Sequence, residues 1–143
     1  MIADASGPHA VDLLDRAAAA FRGVGGASHD FAHTDGALAF VAVEDDEIQG
    51  WCWGHVLPRP DGKTMAHLHD LVVAEGHRRR GIARQLVRAF AASAGRRGAT
   101  TMFLTTGEGN LAARALYDSL GGGLAAQGPT VQYWFPLPLG TSG

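Results

Sequence analysis

The fold is decided by residues 70–83, which read DLVVAEGHRRRGIA. The first residues end an apolar run of strand length, and Gly81 opens an amphipathic helix. Unpaired backbone N–H groups and the helix dipole make a helix N-terminus a binding site for anions. Cations are unfavourable at that end of a helix. The run Arg78–Arg80 therefore indicates an anionic ligand such as a phosphate, the alternative being a solvated basic surface. Gly81 and Ala83 keep side chains small where the backbone would approach such a ligand.

Apolar periodicity on both sides of this turn predicts the remaining elements. In chain order they are a helix at 9–22, a hairpin of strands Ala37–Val43 and Ile48–Leu57 with an acidic tip at Glu44–Glu47, a strand at Met65–Ala74, a helix at 82–97, a strand at Thr100–Thr106, a helix at Leu111–Leu120 and a closing strand at Val131–Leu137. Residues 27–36 are predicted to be a loop or a short, poorly formed helix. The order indicates the α/β class, with a single central mixed sheet flanked by helices in one domain, residues 1–143.

The composition is that of a globular domain with a hydrophobic core. The 143 residues are 46% hydrophobic and 18% charged, with a formal net charge of −2, so nothing favours nucleic acid or an anionic membrane as a partner. No run approaches the ~18 apolar residues that span a bilayer. The N-terminus lacks the basic and apolar segments of a secretory signal, so a cytoplasmic location is expected. The single cysteine, Cys52, excludes an intramolecular disulfide and is expected to be buried.

The strand at Met65–Ala74 carries several titratable side chains. Strict alternation places His67, His69, Leu71 and Val73 on one face and Leu68, Asp70 and Val72 on the other. Asp70 lies in an apolar run, and because burying a lone carboxylate is costly it is either partnered or functional. His67 and His69 form a His-x-His pair, but no further ligand cluster supports zinc, so no metal is expected. The two histidines either line a cleft or satisfy core hydrogen bonds.

Residues 70–83 and a second motif, Asn110-x-x-Ala113-x-x-Leu116-Tyr117-x-x-x-Gly121, resemble the two signatures of the GNAT superfamily of N-acetyltransferases. The resemblance implies acetyl-CoA as cofactor, with its pyrophosphate on the amides of the glycine turn and its pantetheine arm along the preceding strand. It also implies that Tyr117 protonates the departing thiolate, the alternative being an ordinary helix aromatic. The implied cofactor-binding positions are Leu71, Val72, Val73, Arg78, Arg79, Arg80, Gly81, Ile82, Ala83, Asn110, Ala113 and Tyr117.

The implied reaction is direct attack of an amine on a thioester, for which the amine must first lose a proton. Two residues compete as the general base. One is Asp70, and the other is His29, which stands beside Asp30 on the loop that borders the acceptor cleft in this superfamily. Cys52 has no obvious activating base beside it, so no acyl-enzyme is expected.

Within the superfamily, the chain is most similar to the small aminoglycoside 3-N-acetyltransferases. The similarity rests on Val56-Leu57-Pro58-Arg59, on the stretch 70–83 and on Ala115-Leu116-Tyr117. It implies a polycationic antibiotic as acceptor, and resistance to that antibiotic as the outcome. The implied substrate-binding positions are His29, Asp30, Asp35, Trp53, His55, Asp70 and Glu108.

Two other functions remain open from the residues themselves. The acceptor is instead another small amine, a polyamine or a protein amine, which a cleft lined by Trp51, Trp53 and His55 without several carboxylates would favour. Alternatively, the domain binds acyl-CoA as a sensor without catalysis. The apolar C-terminal strand is in addition a candidate homodimer interface.

Overall fold

The computed structural model describes residues 1–78 and 80–140, which fall into two units, Met1–Gly107 and Glu108–Gly143. In the first unit the elements are β1 (Ile2–Asp4), α1 (Val11–Arg22), α2 (His29–Ala32), β2 (Ala37–Glu44), β3 (Glu47–Pro58), β4 (Thr64–Val73), α3 (Ile82–Arg96) and β5 (Thr101–Phe103), with single 3₁₀ turns at Pro8–Ala10 and Glu75–His77. The second unit contains α4 (Leu111–Ser119). None of the described helices is both long enough and apolar enough to cross a membrane.

The sheet is mixed, and its strands lie in the order β1-β2-β3-β4-β5. The first four strands pair antiparallel, and β5 pairs parallel to β4. This arrangement confirms the predicted α/β class with one mixed sheet flanked by helices. The predicted hairpin is β2–β3, and Asp45 and Asp46 at its tip have φ values of 50° and 63°. A two-residue turn with both φ angles positive matches the twist of the flanking strands, which is why short polar residues occupy it.

The two faces of the sheet are covered by different helices. On one face α1 packs against Trp51, Val41 and Ala39, with Leu14 and Ala17 facing them. On the other face lies α3, whose Leu86 and Phe90 are fully buried. Gly50 and Gly54 of β3 lie beneath α3, since a side-chain carbon at either position would touch Leu86 or Phe90. From Gly50 to His55, the alternation of β3 thus sends odd-numbered residues towards α1 and even-numbered residues towards α3.

A β-bulge interrupts the pairing of β3 with β4. Trp53 pairs with Asp70, but the next residue, Gly54, pairs with Leu68, so His69 is an extra residue in β4. The strict alternation predicted for this strand is therefore wrong: Asp70 lies on the same face as His67 and His69, because all three share the face of Trp53 and His55. A bulge inserts one residue and shifts the alternation beyond it.

Two ends of the predicted element order also need correction. The strand β1 was not predicted, because three residues at a sheet edge are too short to show alternation. The predicted closing strand Val131–Leu137 is wrong: no strand follows Phe103 in the described residues, and Trp134 is 85% exposed. Apolar residues form a strand only where a second strand satisfies their backbone groups. Homodimer formation through this segment stays a prediction.

A substitution of Gly54 tests the importance of the bulge, because β4 passes very close to this glycine. A Cβ at this position would lie 1.9 Å from the carbonyl oxygen of His67 and 2.8 Å from Phe90. We expect Gly54→Ala to lower the free energy of unfolding by about 3 kcal/mol or to prevent folding, because backbone must move. The matched control is Gly95→Ala in α3, where a Cβ meets nothing within 4 Å; it should stabilise the protein by up to about 1 kcal/mol. Urea unfolding measures both, and equal effects would contradict the prediction.

Candidate active site

The strands β4 and β5 form a fork. β4 pairs with β3 along its length as far as Val73, but with β5 only from Met65 to His67. The N–H of Ala74 donates to the oxygen of Gln49 on the β3 side, at 2.8 Å. Because peptide groups alternate along an antiparallel strand, those of Leu71 and Val73 are directed towards the other side, into the fork. An extended chain with amide groups, such as the pantetheine arm expected from the sequence, can pair with these two residues.

The turn that follows β4 ends on Gly81, which caps the N-terminus of α3 at φ 75°. A Cβ at Gly81 would meet nothing within 4 Å. The glycine is therefore required by its left-handed backbone, and the space above the turn is open. The first turn of α3 contains no acidic residue that would compete with a ligand. A pyrophosphate fits this place, because the space above the turn is open, the helix start offers backbone amides and the first turn of α3 has no carboxylate.

Two of the arginines beside the turn, Arg78 and Arg80, are solvent-facing. Arg78 and Arg80 are exposed, and the Arg78 Nε donates to the carbonyl oxygen of Val73 at 3.2 Å. Arg79 lies outside the described residues. Ile82 is buried and anchors the helix start, whereas Ala83 is partly exposed. The structure thus places Arg78, Gly81 and the first residues of α3 together at the end of β4, as an anion site requires.

A polar contact between His77 and Glu47, which the sequence did not predict, joins this turn to the hairpin tip. The Nε2 of His77 lies 2.8 Å from the Oε1 of Glu47, and the His77 side chain is only 15% exposed. Glu47 of the acidic tip is therefore a partner of the turn that follows β4. Sequence spacing could not reveal this pair, because the two residues are 30 positions apart and meet only through the sheet.

On the face of α1 and α2, six rings form what we call the aromatic wall. Its members are Phe31, Trp53, His55, His67, His69 and Phe103. The Trp53 ring stacks on that of His69 at 5.1 Å, and the His67 ring stacks on that of Phe103 at 4.1 Å. Phe31 meets Trp53 edge-on at 5.8 Å. The wall therefore extends from Phe31 on α2 to Phe103, the last residue of β5. At Phe103 the two strands of the fork begin to separate, and we call this point the mouth of the fork.

Asp70 is partnered on the same face. Its Oδ2 accepts from the Nη2 of Arg22 at 2.5 Å and from the Nε1 of Trp53 at 3.3 Å. The Asp70 side chain is 14% exposed, against 53% for Arg22. Of the alternatives open for this carboxylate, the structure shows a partnered one. Arg22 was not predicted; its position, just before the glycine that ends α1, is the only local signal.

The other residues predicted on the acceptor side are exposed. The Nδ1 of His29 lies 3.3 Å from the Oδ1 of Asp30, and its ring stacks on that of His33 at 4.2 Å. Asp35 follows α2 and is exposed too. Because Phe31 of the same short helix contacts Trp53 and His55, α2 borders the aromatic wall. The structure therefore brings Trp53, His55 and Asp70 together and leaves His29 facing solvent.

The second motif lies in the second unit. The Oδ1 of Asn110 accepts from the N–H of Ala113 at 3.1 Å and so caps α4. The backbone oxygen of Glu108 accepts from Arg114 at 2.9 Å, while its carboxylate is exposed. Burial raises the pKa of Tyr117 above the ordinary value of 10.0. The phenol therefore keeps its proton at neutral pH, as a proton donor must.

Two histidines of the wall, His67 and His69, have lowered pKa values because they are partly buried and close to other imidazoles. Partial burial, with His55 nearby, lowers the pKa of His67 below 6.5. Partial burial, together with His67 and His55, lowers the pKa of His69 in the same way. Both rings are therefore neutral at pH 7. Among the described residues, no group of three or more His, Cys, Asp or Glu side chains is arranged to hold a metal ion.

The model of the acetyltransferase (GNAT) family matches residues 11–121. The search of curated proteins finds no significant match. Among solved structures, an aminoglycoside acetyltransferase from an uncultured soil metagenomic sample is 24% identical, with a TM-score of 0.82 over 96% of this chain and 97% of the other.

Two further structures show how widely this fold is shared. A second aminoglycoside acetyltransferase from an uncultured soil metagenomic sample, in complex with trehalose, is 21% identical, with a TM-score of 0.77 over 96% and 95% of the chains. A ribosomal-protein-alanine N-acetyltransferase from Brucella melitensis biovar Abortus 2308 is 20% identical, with a TM-score of 0.70 over 94% and 99%. At these identities the similarity establishes the fold.

Cys52 provides a test of the buried centre of the sheet. Burial raises the pKa of its thiol to about 12, and its Sγ donates to the oxygen of Leu86 at 3.6 Å. At pH 8 only about one thiol in ten thousand is then ionised. We expect the native protein to resist a chromogenic disulfide reagent at pH 8 and the guanidinium-unfolded chain to release one equivalent. Rapid, complete reaction of the native protein would contradict this prediction.

Proposed function

The chain belongs to the acetyltransferase (GNAT) family and is an acetyl-CoA-dependent N-acetyltransferase, and from this premise we propose that its acceptor is an amine of an aminoglycoside. The observation that carries the chemistry is the continuity of β4. The C-terminal end of β4 borders the fork, at Leu71 and Val73, and leads into the turn at Gly81, which we call the anion turn. A thioester held by this strand lies beside the aromatic wall, which is where an acceptor is expected.

The cofactor fits the residues present. Acetyl-CoA supplies the activated acetyl group as a thioester. The peptide groups of Leu71 and Val73 would hold the pantetheine arm, while Val72 between them pairs with Trp51 of β3. The amides of Gly81, Ile82 and Ala83 would hold the pyrophosphate, and Arg78, Arg79 and Arg80 directly precede them in the sequence. In the second unit, Asn110 and Ala113 are proposed to contact the cofactor through the start of α4.

The chain must then move two protons. The acceptor ammonium loses a proton to a general base, for which Asp70 and His29 are the candidates derived from the sequence, and the neutral nitrogen attacks the acetyl carbon. A new C–N bond forms as the C–S bond breaks. We propose that the Tyr117 phenol gives its proton to the departing sulfur, a role supported by the raised pKa of that phenol.

The aminoglycoside assignment is supported by similarity along almost the whole chain to two enzymes that are named for that acceptor. Exposed carboxylates agree with it, because a polycationic sugar requires them. Asp30 and Asp35 are exposed on and after α2, and Glu108 is exposed in the second unit. Position 3 of the antibiotic is the proposed site of acetylation, and resistance of the host cell is the proposed consequence.

A second acceptor class has an observation of its own. The aromatic wall presents rings, and Asp70 beside it is already neutralised by Arg22. Such a surface favours a small amine that carries an aromatic or apolar body, since rings stack and a paired carboxylate adds little attraction for a polycation. The alternative function is therefore acetylation of another small amine.

A thiol-release assay decides between these acceptors. Purified protein and acetyl-CoA would be incubated with an aminoglycoside panel, with spermidine and a lysine peptide as polycationic controls and phenethylamine as the aromatic one. We expect CoA release with aminoglycosides and a gain in the resistance of an expressing strain. Release with the controls alone would overturn the aminoglycoside assignment, and release with any amine excludes a sensor without catalysis.

Tyr117→Phe tests the proposed acid in the same assay. The variant keeps the ring and removes the proton, so kcat should fall about 10²-fold while KM for acetyl-CoA stays within threefold. Unchanged kcat would show that Tyr117 is an ordinary helix aromatic.

The anion turn has a separate test in cofactor binding. Gly81→Ala meets no steric contact but must adopt a left-handed backbone, which costs about 1–2 kcal/mol. We expect the Kd for CoA, measured by calorimetry, to rise about tenfold, and to rise less for Gly81→Asn because asparagine tolerates that conformation. The control is Gly76→Ala, at a position with open space and no positive φ. Equal Kd values for Gly81→Ala and Gly76→Ala would contradict the assignment of the turn.

A further inference from the structure

The bulge in β4 places the imidazole of His69 at the mouth of the fork. Pairing between β4 and β5 ends at His67 and Phe103, and His69 is the extra residue just beyond. Its ring centroid lies 3.8 Å from that of His67 and 5.1 Å from those of Trp53 and His55. Without the bulge, either His69 or Asp70 would face α3. The bulge is thus what places His69 beside the strand positions assigned to the thioester arm.

The surroundings of His69 keep its ring neutral and usable. The titratable and charged groups near it are His55 on β3, His67 and Asp70 on β4, and Arg22 on α1, which reaches the cluster through Asp70. Phe103 of β5 and Phe31 of α2 add no charge. Partial burial and the two neighbouring imidazoles lower the pKa of His69, so the ring is unprotonated above pH 6.5. His69 is exposed, so an acceptor can reach its ring.

Asp70 is less suited to take a proton. Its Oδ2 already accepts hydrogen bonds from Arg22 and Trp53, so this oxygen is occupied by two donors of the protein. Through the Trp53 indole, which stacks on the ring of His69, Asp70 instead fixes where that imidazole stands. The other candidate, His29, lies on α2, and the described contacts of its ring are with Asp30 and His33.

We propose that His69 is the general base of the acetyl transfer and that Asp70 is a positioning residue, an assignment that rests on the proposed function. A nitrogen of His69 takes a proton from the acceptor ammonium, directly or through one water, and becomes imidazolium. The freed amine forms the C–N bond as the C–S bond breaks, and the departing sulfur takes the proton of Tyr117 to become the CoA thiol. The nitrogen then gives its second proton to solvent, and solvent returns one proton to Tyr117. The imidazolium returns its proton to solvent, so one proton is released for each acetyl group transferred.

The test uses the dependence of the rate on the pKa of the acceptor. A base is needed only when the amine is protonated, so wild-type protein and His69→Gln would be compared with two accepted amines, one of pKa above 8 and one below 6. We expect His69→Gln to lower kcat/KM at pH 7 about 10²-fold for the protonated amine and less than threefold for the neutral one. The acidic limb of the wild-type pH profile should disappear in this variant.

Two controls separate catalysis from structure. His9→Gln removes an exposed histidine outside the wall and should leave both rates unchanged. Asp70→Asn should lower kcat/KM for both amines alike and keep the acidic limb, as expected of a positioning residue. The Kd for CoA should be the same in all variants if they are folded.

Equal losses for the two amines in His69→Gln, or an acidic limb that survives in it and vanishes in Asp70→Asn, would overturn the assignment in favour of Asp70. Turnover of non-aminoglycoside amines alone would overturn the proposed acceptor but not His69, which is then tested with the amine that is accepted. Absence of turnover with every amine would overturn both proposals.

Discussion

The pairing of Trp53 with Asp70 across the bulge is the constraint on which the rest of the site depends. On the N-terminal side of the bulge, Leu68 pairs with Gly54 and faces α3; on the C-terminal side, Leu71 pairs with Cys52 and faces α3 as well. One inserted residue keeps apolar side chains under α3 on both sides and adds a second polar side chain to the opposite face. His69 and Asp70 can therefore stand together without opening the core beneath α3. The bulge requires Gly54, because β4 passes too close for any side chain there.

The helices on the two faces of the sheet have different tasks. On one face α3 is fixed by Leu86 and Phe90, which are fully buried, and its first residue is held at the end of β4. Rigid packing of that helix sets the position of the anion turn, and the pair of His77 with Glu47 adds a second attachment. On the other face α1 buries Trp51, while the sheet beyond its last turn carries the aromatic wall. In the proposed function, the turn at the start of α3 holds the cofactor and the opposite face meets the acceptor.

Charge on the acceptor face is balanced within the protein. Arg22 reaches Asp70 from the end of α1 and neutralises the best-buried carboxylate of the site. Because the Arg22 side chain is half exposed, the pair adds little to the stability of the fold and matters chiefly for the charge of this face. His67 and His69 are neutral at pH 7 because partial burial, with neighbouring imidazoles as a smaller cause, lowers the pKa of both rings. The face therefore presents aromatic rings and the proposed base, and exposed carboxylates lie at its border on and after α2, at Asp30 and Asp35.

The sequence by itself determined the class of the fold, the anion turn and the second motif. Each depends on neighbouring residues: the run 70–83 contains a strand, a left-handed glycine and a helix start, and Asn110 caps the helix that it precedes. The segment Val131–Leu137 shows the limit, since apolar residues predicted a strand but pairing is a property of two segments. Only the tertiary structure decided the partners of Asp70, the contact of His77 with Glu47 and the face on which His69 lies. Arg22 and Asp70 are 48 residues apart, so no local pattern could pair them. The bulge arises from the register of β3 on β4, and a shift of one residue in register reverses the face of every side chain beyond it.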